Sequence, residues 1–194
     1  MDNTSASRIS GGNSKYGREG SDLYPTPPEA TEALLMHLNL PHNTRIWEPA
    51  CGEGHMANVF IRNGYQTIAT DIEDYAYGTS GIDFLRADAQ PCDWIITNPP
   101  FKLAERFIRR CAEHKKPFAL LLKSQYWNAK IRYQLFHEIQ PTEILPLTWR
   151  PDFLFKTRGS GSPLMDMMWV VWGEKTSERT TFLPLRKPIK EATQ

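Results

Sequence analysis

The stretch that most constrains the fold is Asp93-Trp94-Ile95-Ile96-Thr97-Asn98-Pro99-Pro100-Phe101, a short apolar run that stops at an asparagine, two prolines and an aromatic ring. Trp94, Ile95 and Ile96 suit a strand covered on both faces, as in a parallel sheet, and the prolines end it because they cannot donate ladder hydrogen bonds. A loop that starts at the end of such a strand lies where open α/β sheets carry their chemistry. Each proline fixes its own φ and restricts the residue before it, so Asn98 and Pro99 are expected to be extended and stiff. Two acceptors, the Asn98 carboxamide oxygen and the Pro99 carbonyl, then converge on one amino group, with Phe101 as a flat face beside them. Such a site suits a planar amine conjugated to a ring.

Upstream, Thr26-Pro27-Pro28-Glu29 precedes a helical pattern running to Leu38 and reads as a capping box: Thr26 caps, Pro27 sits where a helix tolerates proline, and Glu29 lies three residues after the cap. Arg45 to Gly54 reads as a strand turning sharply into a helix of about 53–63. Small residues at Ala50, Gly52 and Gly54 let the backbone approach a ligand, and the helix start adds free N–H groups. His55, Met56 and Ala57 follow where a dinucleotide loop of the Gly-x-Gly-x-x-Gly type carries its last glycine, which argues against NAD. A second strand, Gln66 to Thr70, ends in Asp71, placed about 20 residues after the glycine loop to accept ribose hydroxyls. A weak third strand is expected around 81–85.

Downstream, Leu103, Ala104, Phe107, Ile108, Cys111 and Ala112 mark one face of a helix. Residues 117–122 read as an all-apolar strand, and Tyr126 and Trp127 follow it at the sheet edge that also carries Phe101, as candidate substrate-stacking rings or as core. Residues 143–149 and 165–172 read as a closing antiparallel hairpin. The loop between them carries Arg150, Lys156 and Arg158 among glycines and serines and is the candidate reader of the target.

In their order along the chain, Thr26-Pro27, Glu48 to Gly54, Asp83-Phe84 and Asn98 to Phe101 resemble the motifs of the S-adenosylmethionine-dependent amino-methyltransferases best known as DNA adenine-N6 methyltransferases. The resemblance spans about Tyr24 to Gly173. It implies an α/β Rossmann-like fold, with a mostly parallel seven-stranded sheet and an antiparallel closing hairpin. It implies S-adenosyl-L-methionine as cofactor, with Tyr24, Thr26 and Pro27 packed against it. The loop of Glu48, Ala50, Cys51, Gly52 and Gly54 would wrap its methionine part, Asp71 and Ile72 would meet the ribose side, and Asp83 and Phe84 the adenine. Asn98, Pro99, Pro100 and Phe101 become the catalytic loop. One departure matters: family members with sequence-specific targets usually carry a separate recognition domain, and nothing of that size follows the catalytic core here.

With 194 residues, 40% of them hydrophobic, the chain suits one domain at 23–173 between a flexible stretch at 1–22 and a polar one at 174–194. No apolar run approaches the ~20 residues of a bilayer span and the first 20 residues do not read as a signal peptide, so a cytoplasmic monomer is expected. Three cysteines without ligand spacing indicate neither a disulfide framework nor a metal. A net charge of +1 conceals an asymmetry: residues 48–93 carry eight acidic side chains against two basic, and 102–132 nine basic against two acidic. That cationic half favours a polyanion, so DNA is the expected partner, with RNA possible. The expected activity is methyl transfer to adenine N6 in DNA; adenine in RNA, a protein glutamine amide, or binding of nucleic acid without catalysis remain alternatives.

Overall fold

The computed structural model describes residues 23–153, 163, 165–174 and 178–189. Helix α1 (Pro28–Leu38) leads into β1 (Arg45–Glu48), α2 (His55–Arg62) and β2 (Gln66–Ala69); β3 (Trp94–Thr97) is followed by a 3-10 turn, α3 (Ala104–Glu113) and β4 (Phe118–Lys123). A second 3-10 turn at Ser124–Trp127, α4 (Arg132–Glu138), β5 (Glu143–Pro146), β6 (Met167–Trp172) and β7 (Thr181–Phe182) complete the order. All seven strands form one sheet, β2-β1-β3-β4-β6-β5-β7. β1 to β4 pair in parallel, and β6 runs antiparallel to both β4 and β5.

Side chains alternate across this sheet with the period of two that a strand imposes. Ile46, Ile96, Ala119 and Leu121 face one core cluster with Leu34 of α1 and Phe60 of α2. Trp47, Ile95, Leu120 and Leu122 face the other, with Phe107 and Ile108 of α3 and Leu135 of α4. Both faces are therefore covered, which is why the central strands read as continuous apolar runs. At about 1.5–3 kcal/mol for each fully buried large side chain, these two clusters supply the main driving force for folding.

Three expectations change. Residues 81–85 form no strand: the Arg86 and Ala87 N–H groups turn back to the Asp83 carbonyl at 2.9 and 2.8 Å, and the Asp83 carboxylate accepts from Leu85 N–H at 3.0 Å. A local Asx turn has outcompeted the ladder. Thr26 does not cap α1, whose N-cap position is Pro27 without any side-chain cap, because the Thr26 hydroxyl is engaged by Asn98. Finally, the sheet continues past residue 173: β7 pairs in parallel with β5, and Leu185 is buried against the bridge at Leu147.

Candidate active site

The chain moves from β1 to β2 on one side of the sheet and from β3 to β4 on the other, so its winding reverses between the adjacent strands β1 and β3. The crevice at the carboxyl ends of two such strands is where open α/β sheets bind ligands. Glu48 ends β1 and Asn98 directly follows β3, so the glycine loop and the Asn-Pro-Pro-Phe loop leave the sheet side by side.

Asn98 is fixed from the segment before α1. Its Nδ2 donates to the Tyr24 carbonyl at 3.2 Å and to the Thr26 hydroxyl at 3.0 Å. A carbonyl can only accept, so the amide nitrogen must face Tyr24 and the oxygen must face away. That oxygen, Oδ1, is buried and has no hydrogen-bond partner. An unmet buried acceptor costs roughly 1–3 kcal/mol, which a ligand donor would recover. Beside it, the Phe101 ring lies 4.9 Å from Tyr24 at 36°, Tyr24 meets Phe153 edge-on at 6.1 Å, and Lys123 Nζ sits 4.2 Å from the Phe101 centroid. Lys123 escaped the sequence reading as a site residue; its only signal is a charge ending an otherwise apolar strand.

The glycine loop is held by backbone bonds, Cys51 N–H to Thr70 carbonyl at 3.1 Å and Gly54 N–H to Cys51 carbonyl at 2.8 Å. Gly52 and Gly54 adopt φ of +49° and +79°. A Cβ on Gly52 would lie 2.7 Å from Leu23, and one on Gly54 would enter the Tyr77 ring. Tyr77, whose hydroxyl donates to Asn58 Oδ1 at 3.1 Å, is thus a second residue at the site that the sequence did not single out. The side chain of Glu48 is buried, and burial pushes its carboxyl well above the usual carboxylate range, although the Ala57 N–H opposes this. Glu48 Oε2 has no partner. Burial, with Glu48 and Asp71 nearby, pushes the Cys51 thiol up to about 12, so it is an unreactive thiol. Asp71 accepts from Gly52 N–H at 2.8 Å and Glu73 N–H at 3.0 Å, which ties the tip of β2 to the loop. A carboxylate has about four lone-pair sites, so both oxygens retain acceptor capacity. Ile72 beside it is exposed.

The remaining predicted residues fall elsewhere. Phe84 is 2% exposed and wedged between Trp47, Phe107 and His114, a core position. Asp83 closes its own turn and meets Arg86 at 3.5 Å. Tyr126 is likewise buried, edge-on to Phe136 and covered by Arg132. Trp127 packs on Phe136 at 4.5 Å and lines a cavity along α4. Arg150 Nε donates to Asp166 at 2.7 Å, while Lys156 and Arg158 lie outside the described residues. The cationic half is partly neutralised within the fold, since Arg109 pairs with Glu105 and Glu138, and Arg110 with Glu113. Among the described residues no group of histidines, cysteines and carboxylates could hold a metal ion, and no helix is long and apolar enough to cross a membrane.

No protein-family model and no curated protein matches the chain. Solved structures do. A protein from Listeria monocytogenes described as a class I S-adenosylmethionine-dependent methyltransferase superposes with a TM-score of 0.61 at 15% identity, over 89% of this chain and 68% of that one. The fold is that of the class I S-adenosylmethionine-dependent methyltransferases. A modification subunit of a type I restriction enzyme from Vibrio vulnificus matches at a TM-score of 0.62 and 12% identity, over 96% of this chain and 51% of the other. An RNA methyltransferase from Pyrococcus horikoshii matches at a TM-score of 0.57 and 15% identity, over 77% and 84%. The chain thus spans about half the length of the Vibrio subunit.

Open α/β sheets take their ligands at the strand ends that carry the glycine loop here. Two unpartnered buried acceptors, Glu48 Oε2 and Asn98 Oδ1, flank that crevice and fit a ligand that brings an ammonium and an amine substrate. Glu48, Gly52, Gly54 and Asp71 line the loop that would hold such a ligand.

Proposed function

We propose that the protein methylates the exocyclic N6 amino group of adenine in DNA, with S-adenosylmethionine as methyl donor. The observation that carries this reading is the Asn98 carboxamide, anchored through its nitrogen by Tyr24 and Thr26 and left with a free, buried acceptor at the carboxyl end of β3. When bound, the cofactor supplies a methyl group on a sulfonium, an electrophilic carbon. An aryl amine is a poor nucleophile because its lone pair is delocalised into the ring. Asn98 Oδ1 and the Pro99 carbonyl would accept its two N–H bonds, draw the nitrogen toward sp³ geometry and stabilise the positive charge that develops there. The amine nitrogen would form its new C–N bond as the C–S bond of the sulfonium breaks, the electron pair leaving on sulfur as a neutral thioether, and would give up one proton to solvent, so no strong general base is needed. The stiff Pro99-Pro100 pair keeps both acceptors preorganised. A base taken from a duplex must be flipped out, and the Phe101 ring, backed by Tyr24, offers a replacement stacking face.

The similarity to the Pyrococcus RNA methyltransferase favours RNA as the second reading, with the same chemistry at the amine. The test is transfer of labelled methyl from S-adenosylmethionine to DNA, RNA and protein in parallel, followed by nucleoside and amino-acid analysis. N6-methyladenine in DNA is expected. Asn98→Ala should slow single-turnover transfer by ~10²–10³-fold, as for loss of one preorganised polar contact, and leave cofactor affinity intact. Label confined to RNA replaces the substrate, label on glutamine removes nucleic acid from the reading, and an unaffected Asn98→Ala rate overturns the mechanism.

A further inference from the structure

Beyond the catalytic crevice, a cavity of about 680 Å³ runs along α4, with Trp127, Lys130, Arg132, Tyr133 and His137 on one wall and Ile144 and Thr180 on the other. Among the described residues no acidic side chain lines it. Of the two carboxylates next to lining residues in sequence, Glu138 is occupied by Arg109 at 3.0 Å and Gln134 at 2.8 Å, and Glu143 meets His37 at 3.0 Å. Lys130 has no partner among the described residues, and Arg132 uses one nitrogen on the Tyr126 carbonyl, which leaves further N–H donors of the fork. Tyr133 and His137 are presented outward, whereas Trp127 is partly buried against the core and shows only part of its ring. Tyr133 is 77% exposed with its ring parallel to His137 at 6.1 Å, and neighbouring Ile131 is 75% exposed. Trp127 rests on Phe136 and adds its indole to the cavity wall.

This cavity starts close to the proposed chemistry. Lys123, which touches the Phe101 ring, ends β4, and the single 3-10 turn Ser124–Trp127 links it to the mouth of the groove. Exposed aromatic faces interleaved with unpaired cations are what unstacked bases and their phosphates require, whereas a duplex hides its base faces and presents phosphates alone. The volume is enough for one or two nucleotides.

We infer that the α4 groove binds single-stranded nucleic acid beside the target base, with Trp127 and Tyr133 stacking unpaired bases and Lys130 and Arg132 facing phosphates. The inference rests on the amino-methyltransferase reading for its location relative to a target, and not for the binding itself. It also implies that a target is presented from a melted or single-stranded stretch.

The test is fluorescence anisotropy of the full chain with labelled single-stranded DNA, single-stranded RNA and duplex DNA of equal length at several salt concentrations. Tyr133→Ala and Lys130→Gln change exposed side chains and should leave folding and cofactor affinity unchanged. Tyr133→Ala should weaken single-strand binding by roughly fivefold to a hundredfold, the loss of about one stacked base, with duplex binding unaltered. Lys130→Gln should lower the slope of log affinity against log salt by about 0.7. A preference between the DNA and RNA strands identifies the natural ligand, and either preference supports the groove. Unchanged single-strand affinity in Tyr133→Ala, or an equal loss for the duplex, overturns it. Binding that depends on Tyr133 without any methyl transfer upholds the groove and removes the catalytic reading.

Discussion

Asn98 and Glu48 are the two side chains whose free acceptors define the crevice, and they are held in opposite ways. Asn98 is neutral and positioned by two hydrogen bonds to the chain before α1. Glu48 is an acid whose burial favours the protonated form. Because its folded pKa is raised, its contribution to stability is full below the ordinary carboxylate value and is lost as pH rises through the folded value. A ligand ammonium at Oε2 would call for the ionised form, so binding should release a proton while pH lies below that raised value. S-adenosylmethionine affinity is therefore expected to rise with pH, and Glu48→Gln should flatten the dependence. Calorimetry across pH in two buffers of different ionisation enthalpy measures the proton directly; a pH-independent affinity in the wild-type chain would remove Glu48 from the ligand.

Among the elements, β1 and β3 decide where both loops emerge, and a salt bridge at their starts fixes their register. Asp93 accepts from the Arg45 backbone N–H at 2.9 Å and from its guanidinium at 2.9 and 3.3 Å, while Asp93 N–H donates to the Arg45 carbonyl at 2.8 Å. Hydrogen bonds from the Arg45 side chain and backbone hold the Asp93 carboxyl at about 2. Both side chains are nearly half exposed, so solvent screening keeps the contribution of the pair small. The folded pKa is depressed, so this contribution is present above the ordinary carboxylate value and disappears as pH falls toward 2. Asp93→Asn should lower the urea midpoint at pH 7, and the gap from wild type should narrow near pH 3. A gap that is constant with pH would mean that the backbone bonds alone hold the strands.

On the scale of the whole molecule, the last described segment closes the sheet and reaches back to the site. β7 pairs with β5, the Thr148 N–H and hydroxyl both donate to the Leu185 carbonyl, and Lys187 Nζ lies 3.4 Å from Glu29 at the start of α1. The same helix follows directly on Thr26, which orients Asn98. Leu185 is 7% exposed in the cluster that also holds Leu34 and Trp169. Leu185→Ala should cost about 2–3 kcal/mol in chemical denaturation, the loss of a buried leucine at a partly relaxing edge. A cost below about 0.5 kcal/mol would show that this segment only rests on the sheet.

How much was legible in the sequence depended on how local the cause was. The apolar runs of β3 and β4, the buried face of α3, the glycine loop and the stop at Asn98-Pro99-Pro100 follow from periodicity, from proline's missing N–H and from glycine's access to positive φ, all properties of neighbouring residues. They determined the layered α/β fold and the crevice at the strand ends. Residues whose partners lie far along the chain were decided by tertiary structure alone. Thr26 carries good capping chemistry, yet its hydroxyl meets Asn98, 72 positions away. Phe84 suits a ligand face, yet it fills the space that Trp47, Phe107 and His114 leave in the core. Tyr77 follows an acidic turn, yet its ring packs onto Gly54, 23 positions earlier, where any side chain would collide with it. Local propensity specifies where elements start and stop. Which side of a polar or aromatic residue is satisfied, and by what, is settled when distant segments compete for the same hydrogen bond or the same volume.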